Sequence, residues 1–214
     1  MRNDSLLKPY QKTAGALLFL AGSICLMGII TAESFYPAGY STSASEISDL
    51  GSTRPPNSVI HQPSAVIFNT TMILIGLMIL IAVYFVQKVY KKPLASIPMG
   101  LLGLGALGVG IFPGNVTPWH GLFSLLTFFS GGIAAITSSK IINSPFSFLG
   151  VIFGAITLFG IFSAIFLGNP FTPILGVGGA ERWVAYPIIL WLIGFGGYLL
   201  GTQSAIKEMM ERGE

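Results

Sequence analysis

Long uncharged apolar stretches alternate along the chain with shorter polar ones. A membrane-spanning helix needs about 20 mainly apolar residues to cross a hydrocarbon core of roughly 30 Å. Six runs meet that requirement: Ala14 to Ala32, Ser64 to Gln87, Leu94 to Phe112, Pro118 to Ser139, Pro145 to Leu167 and Arg182 to Thr202. Only the last includes a charge, at its edge. A charged residue at a helix centre costs about 2.5–3.5 kcal/mol, whereas a Leu contributes only about 0.3–0.6, so uninterrupted runs are what insertion demands. The pattern predicts an all-α integral membrane bundle of six transmembrane helices, with residues 1–214 as a single domain.

Polar punctuation supports these limits. Thr117-Pro118 and Ser144-Pro145 each read as an N-cap followed by proline at the first helical position, where its missing N–H does no harm. Gly168 then Pro170 closes the fifth run in the usual order for a helix end. Pro98 and Pro187 fall inside runs and are expected to kink them. Small residues four apart (Ala106 and Gly110, Gly131 and Ala135, Gly150 and Gly154, Gly197 and Gly201) suit close helix approach. The first run follows Arg2, Lys8 and Lys12 as a signal peptide would. Its 19 residues exceed a 7–15-residue signal core and no A-x-A site follows, so it reads as an anchor.

Composition narrows the class further. Charged residues are 9% of the 214 and apolar residues 52%, against roughly 25% charged in soluble domains. The net charge of +3 comes from few, scattered basic residues that mostly flank apolar runs, which excludes nucleic acid as a partner. The single Cys25 lies within the first run. It allows neither an intrachain disulfide nor a cysteine metal site, and no cofactor is implied.

Lysine and arginine also set an expected orientation, because they accumulate in short cytoplasmic loops. Nine lie on one side (Arg2, Lys8, Lys12, Lys88, Lys91, Lys92, Lys140, Lys207, Arg212) and two, Arg54 and Arg182, on the other. Both termini are therefore expected in the cytoplasm, in the plasma (cell) membrane. That sorting sends Glu33, Glu46, Asp49, Arg54, His61, Asn115, His120, Glu181 and Arg182 to the outer face. Both histidines and half of the eight acids gather there, so any site is expected to face outward.

The first outer loop, Glu33 to Pro63, is long for a compact bundle, and such connections are commonly functional or disordered. Ser43 and Glu46 have capping-box spacing and Gly51 the place of a C-cap, which predicts a short helix from Ala44 to Leu50 lying across the bundle mouth. Glu46 is then either a cap or a site residue. His120, in the first turn of the fourth helix, meets the positive end of the helix dipole, which disfavours imidazolium and suits a base or a ligand. Ser124, Thr127 and Gly131 continue from it at helical spacing, and Asn69 lies at similar depth on the second helix. Polar groups at that depth face a bundle interior or a water-filled cavity. They imply either an outward vestibule or hydrogen bonds that lock helix packing. Two histidines with several carboxylates raise a metal site, but no H-x-x-x-H or H-E-x-x-H spacing occurs, and none is assigned. Ser45 or Ser48 with a histidine and Asp49 could be drawn as a hydrolase, without the G-x-S-x-G elbow. Glu181, Arg182 and Trp183 read as an anionic-ligand clamp or as an interfacial salt bridge with an aromatic anchor. Asn69-Thr70-Thr71 and Asn115-Val116-Thr117 match the glycosylation pattern by chance, lying in or against the membrane.

An ordered set of short motifs adds a resemblance. Phe35-Tyr36-Pro37, Ile47-Ser48-Asp49-Leu50-Gly51, Gly110-Ile111-Phe112-Pro113 leading to His120-Gly121 and Phe128-Phe129, and Glu181-Arg182-Trp183 resemble the membrane-protein family known as domain of unknown function 998. The resemblance spans nearly the whole chain. It implies a prokaryotic six-helix membrane protein of a family without an assigned activity. The matching positions Ser48, Gly51, His120, Glu181 and Arg182 belong to the outer-face set.

Three functions follow as expectations. The foremost is a non-catalytic lipid-binding, sensory or assembly component, with membrane lipid or another membrane protein as partner. Its ligand contacts would come from Arg182, Glu181, Asn69, Ser48, Ser124 and Thr127. The alternative is an enzyme acting on a lipid head group or lipid-linked substrate, with His120 and Asp49 or Glu46 as acid and base and Arg182 holding phosphate. A small-molecule transporter ranks last, because carriers place ionisable groups near the midplane and these runs do not.

Overall fold

The computed structural model describes residues 4–142 and 144–212, and side chains within residues 7–142 and 144–201. Arg2 and the side chains of Lys207 and Arg212, used above for orientation, lie outside that description. The described residues form six α-helices and no strand: α1 (Asp4–Ser34), α2 (Ser64–Tyr90), α3 (Pro93–Ile111), α4 (Trp119–Thr137), α5 (Phe146–Phe166) and α6 (Thr172–Arg212). All six are long and apolar enough to cross a membrane, and the protein is a multi-pass membrane protein. Each helix packs on its neighbours in sequence, and α6 closes the ring against α1.

Two helices depart most from the sequence reading: α1 starts at Asp4 rather than Ala14, and α6 runs from Thr172 to Arg212 rather than from Arg182 to Thr202. The cost of charge in a span makes Glu181 and Arg182 look like a boundary in the sequence. The structure instead gives them partners inside the protein, and the apolar residues before them complete the helix. Gly176 breaks the helical backbone near its start (φ 75°, ψ 168°), in the left-handed half of the map that glycine tolerates best.

Smaller corrections concern the caps. α4 begins at Trp119, so Pro118 precedes the first helical residue and no side chain caps the start. α5 begins at Phe146, where Ser144 Oγ does accept the Phe146 N–H at 3.3 Å. The short helix expected from Ala44 to Leu50 is a single 3-10 turn, Ile47–Leu50. The box expected between Ser43 and Glu46 is shifted by three residues: Glu46 N–H donates to Asp49 Oδ2 at 2.8 Å.

Glycine sets the helix spacing. A Cβ on Gly15 would lie 2.9 Å from the Gly196 carbonyl oxygen, which joins α1 to α6, and one on Gly154 would lie 2.4 Å from that of Gly132, which joins α5 to α4. Gly110, Gly131 and Gly150 also meet neighbouring helices, but Gly201 has nothing within 4 Å and Gly197 only a phenylalanine edge at 3.9 Å. Among the described residues the Gly197 and Gly201 pair therefore sets no helix contact. Few hydrogen bonds cross between helices. Trp191 Nε1–H donates to Ser138 Oγ (3.1 Å), Thr157 Oγ1–H to the Val184 carbonyl (2.9 Å) and Gln11 Nε2–H to that of Leu199 (3.0 Å). In a bilayer this is the expected economy, since dispersion packing and small residues do most of the joining.

Candidate functional site

The end of the bundle that carries the loop between α1 and α2 holds the acids, histidines and arginines whose side chains are described. Its organising element is the glycine-rich start of α6, Gly176-Val177-Gly178-Gly179. The loop backbone runs directly across it. Gly178 N–H donates to the Ser43 carbonyl at 2.9 Å. A Cβ on Gly176 would sit 2.0 Å from Ser43 O, and one on Gly178 1.9 Å from Ser45 O. No other residue lets the two chains approach this closely.

One turn further along α6, Arg182 fastens that strap. Its Nη1 donates to the carbonyls of Thr42 (2.9 Å), Ser45 (3.0 Å) and Gly178 (3.0 Å), and its Nη2 to Glu33 Oε1 (2.5 Å) and Tyr40 Oη (2.7 Å). Nη1 has two protons for three carbonyls, so one is shared. Tyr40 passes its own proton to the Glu46 carbonyl at 3.1 Å. Burial holds the Tyr40 phenol well above its ordinary range, although the adjacent guanidinium opposes the shift. One buried arginine thus joins the end of α1, the loop and α6. The planar guanidinium fork suits this role, where a lysine offers only a compact point charge.

The neighbouring Glu181 points elsewhere, because consecutive helical residues diverge by about 100°. Its Oε2 accepts the Ile47 N–H of the 3-10 turn. Glu181 also lines a 530 Å³ cavity between α4, α5, α6 and the loop. Glu46, Ser48, Arg54, Ser124 and Asn169 share its polar end, and Phe128, Phe159, Ile161, Ile165, Val177 and Trp183 build apolar walls. A second, 80 Å³ space lies in the middle of the ring among Cys25, Phe68, Met72, Ile75, Thr127 and Ile188. Ser48, Ser124, Phe128 and Glu181 line both. At the mouth, Arg54 Nη2 meets Glu46 Oε2 at 2.7 Å. Burial raises the Glu46 carboxyl above its ordinary range against the pull of Arg54, and burial likewise raises Asp49 against the hydrogen bond it receives from Glu46 N–H.

His120 and Asn69 sit apart from both cavities. His120 is buried, with Nδ1 2.8 Å from the Phe112 carbonyl. A carbonyl only accepts, so Nδ1 carries a proton; in the neutral ring Nε2 then presents a lone pair, and it has no partner among the described residues. Asn69 Oδ1 is also unpartnered, packed beneath Gly51. Tyr36 and His61 stack edge to face at 4.7 Å, at the loop's outer side. Among the described residues no three His, Cys, Asp or Glu converge as a metal set.

The residues expected to form one site therefore divide. Glu46, Ser48, Ser124, Thr127 and Glu181 meet around the two cavities. Arg182 is occupied on the strap and Asp49 on the turn, while His120 lies against the Phe112 carbonyl and Asn69 beneath Gly51. Sequence reasoning missed Tyr40 as an arginine partner and the whole contribution of α5. The Gly-Val-Gly-Gly run was a legible signal for the strap, whereas the uniformly apolar α5 carried none for the cavity.

Compared with known proteins, the chain matches over residues 14–198 the family described as protein of unknown function (DUF998), and it belongs to that family. No curated protein and no solved structure matches it.

Proposed function

We propose that this DUF998 member binds a membrane amphiphile without chemically altering it, holding an apolar chain between α4, α5 and α6 and the polar end under the loop. The cavity carries the reading. Its 530 Å³ lies within the range of roughly 300–1,000 Å³ typical of small-molecule sites, which pair apolar walls with a few convergent polar groups. Its polar groups come only from the loop end, and α5, the least buried of the six spans, forms one wall open to lipid. By the distribution of lysine and arginine this end faces outward from the plasma membrane, so the ligand would be drawn from the outer leaflet. A sensory or assembly role fits the same geometry, because the strap that covers the polar end also presents the exposed surface a partner membrane protein would meet.

Ala164 lines the cavity from α5 and is exposed, so Ala164→Trp fills the space without entering the core. Native mass spectrometry of the chain extracted from membranes is expected to show retained lipid in the parent and its loss in Ala164→Trp. Equal retention in both, with unchanged thermal stability, would refute the reading.

A catalytic role at the same end is the second reading, and His120 is the observation for it: a neutral imidazole with its tautomer fixed and Nε2 without a partner among the described residues is prepared to accept a proton. A lipid-turnover assay comparing His120→Ala with the parent decides it. Unchanged turnover removes His120 from any mechanism.

A further inference from the structure

Building on the amphiphile reading, we infer that the ligand's polar end is a cation, an ammonium group carried on an apolar chain, and that Glu181 is the residue that receives it. The argument is one of charge complementarity at the polar end of the cavity. Three charged side chains line it: Glu46, Arg54 and Glu181. Arg54 and Glu46 pair with each other at 2.7 Å. Arg182, next to Glu181 in sequence, directs both terminal nitrogens to Glu33, Tyr40 and three carbonyls away from this cavity. Among the described residues Glu181 forms no ion pair of its own. One of its oxygens is held by the Ile47 N–H, and the carboxylate remains part-exposed where it lines the cavity.

A carboxylate drawn out of water needs a cation or hydrogen-bond donors to offset its desolvation. Here the chain supplies a single amide N–H, plus the hydroxyls of Ser48 and Ser124 along the same wall. Both hydroxyls can donate to a bound head group or to Glu181. The walls beyond are apolar and continue toward the 80 Å³ space past Phe128, which suits an alkyl chain and excludes a free inorganic cation as the natural occupant. An anionic head group would meet two carboxylates with only the already engaged Arg54 to answer it. The Coulomb balance therefore disfavours phosphate and carboxylate heads.

The test uses the full-length chain in an uncharged maltoside micelle, so that the detergent itself does not concentrate charged probes. Dodecylamine, dodecyltrimethylammonium, dodecanol and dodecyl phosphate are titrated, with Trp183 emission as readout and Trp183→Phe to assign the signal. The expected result is that the two cationic probes bind about tenfold or more tighter than dodecanol, the size of a single charge-assisted contact, and that dodecyl phosphate binds weakest. Glu181→Gln keeps an oxygen for the Ile47 N–H and so spares the strap. It should abolish the cationic preference while leaving dodecanol binding unchanged. Equal binding of all four probes, or a preference that survives Glu181→Gln, overturns this inference and leaves the amphiphile reading standing. Tighter binding of dodecyl phosphate overturns it in favour of an anionic head group. If none of the four perturbs Trp183 in a folded chain, the amphiphile reading fails with it.

Discussion

Replacing Arg182 by Met keeps most of the side chain's apolar bulk and removes every donor of its head group. Five hydrogen bonds then disappear together, and Glu33 loses its only ion pair among the described residues. Hydrogen bonds to charged groups contribute about 1.5–3 kcal/mol each, but they are not additive. Removing one partner of a buried pair costs roughly 3–5 kcal/mol. Two features pull the expectation to the lower end of that range. The Glu33 side chain is 20% exposed, and the Thr42 and Ser45 carbonyls sit on a loop that can lift into water. We therefore expect a loss of about 3 kcal/mol for Arg182→Met and about half of that for Arg182→Lys, which keeps the charge near Glu33 but not the fork. Unfolding in mixed micelles with increasing dodecyl sulfate, followed by tryptophan emission, measures the loss. Limited proteolysis between residues 42 and 63 reports whether the strap has lifted. In the cycle with Glu33→Gln the coupling should exceed about 1 kcal/mol, as contacting groups do. A loss below about 1 kcal/mol with unchanged protease protection would refute the claim that Arg182 fastens the loop.

Gly178→Ala should destabilise by about 1–3 kcal/mol through overpacking, because its methyl would meet Ser45 O at 1.9 Å. Gly201→Ala, with nothing within 4 Å among the described residues, should be neutral or slightly stabilising in the same unfolding assay. Glu46 and Asp49 are expected to make the fold weaker, not stronger, as pH rises. Burial raises both carboxyls in the folded chain, so below their unfolded values, near pH 4, they contribute nothing. Between the unfolded and the raised folded values the unfolded chain gives up its protons first and stability falls. Thermal melts across that window should therefore show a shallower decline in Glu46→Gln/Asp49→Asn than in the parent, and identical slopes would contradict the burial argument. Trp191→Phe removes the hydrogen bond to Ser138 and leaves a cavity at a fully buried position, so it is expected to cost about 2 kcal/mol or more, read from the same melts.

The fold was largely legible because a bilayer leaves little choice. Each of the six apolar runs coincides with an observed helix, and most limits fall within a few residues of where proline, glycine and the end of apolarity placed them. Two kinds of information were not legible. The start of α6 was masked by a rule that treats Glu181 and Arg182 as too costly for a span, when Glu33, Tyr40 and the loop carbonyls lower that cost through long-range contacts that no local pattern records. The cavity was hidden for the opposite reason. α5 is apolar on every side, so nothing distinguishes the face that meets the cavity from the face that meets lipid. Ser48, Ser124, Thr127 and Glu181 were identified as a polar set, and three dimensions were needed to separate them from His120 and Asn69.

The adjacency of Glu181 and Arg182 lets one turn of α6 hold the loop at two points, one of them beside the cavity. On consecutive positions of α6 the two side chains diverge, Arg182 toward the strap at Thr42 to Ser45 and Glu181 toward Ile47 and the cavity. The loop is therefore held twice from one turn of helix, by the arginine to its backbone carbonyls and by the glutamate to a backbone N–H. The first attachment is self-contained, with charge answered by charge. The second uses a carboxylate that still faces the cavity and forms no ion pair among the described residues. A cationic head group arriving there would hold Glu181 in its ionised form, a stronger acceptor for the Ile47 N–H than the neutral acid, so occupancy and closure of the loop would rise together. The reciprocal follows from linkage: variants that loosen the strap through Arg182 should weaken binding at a cavity that Arg182 does not line.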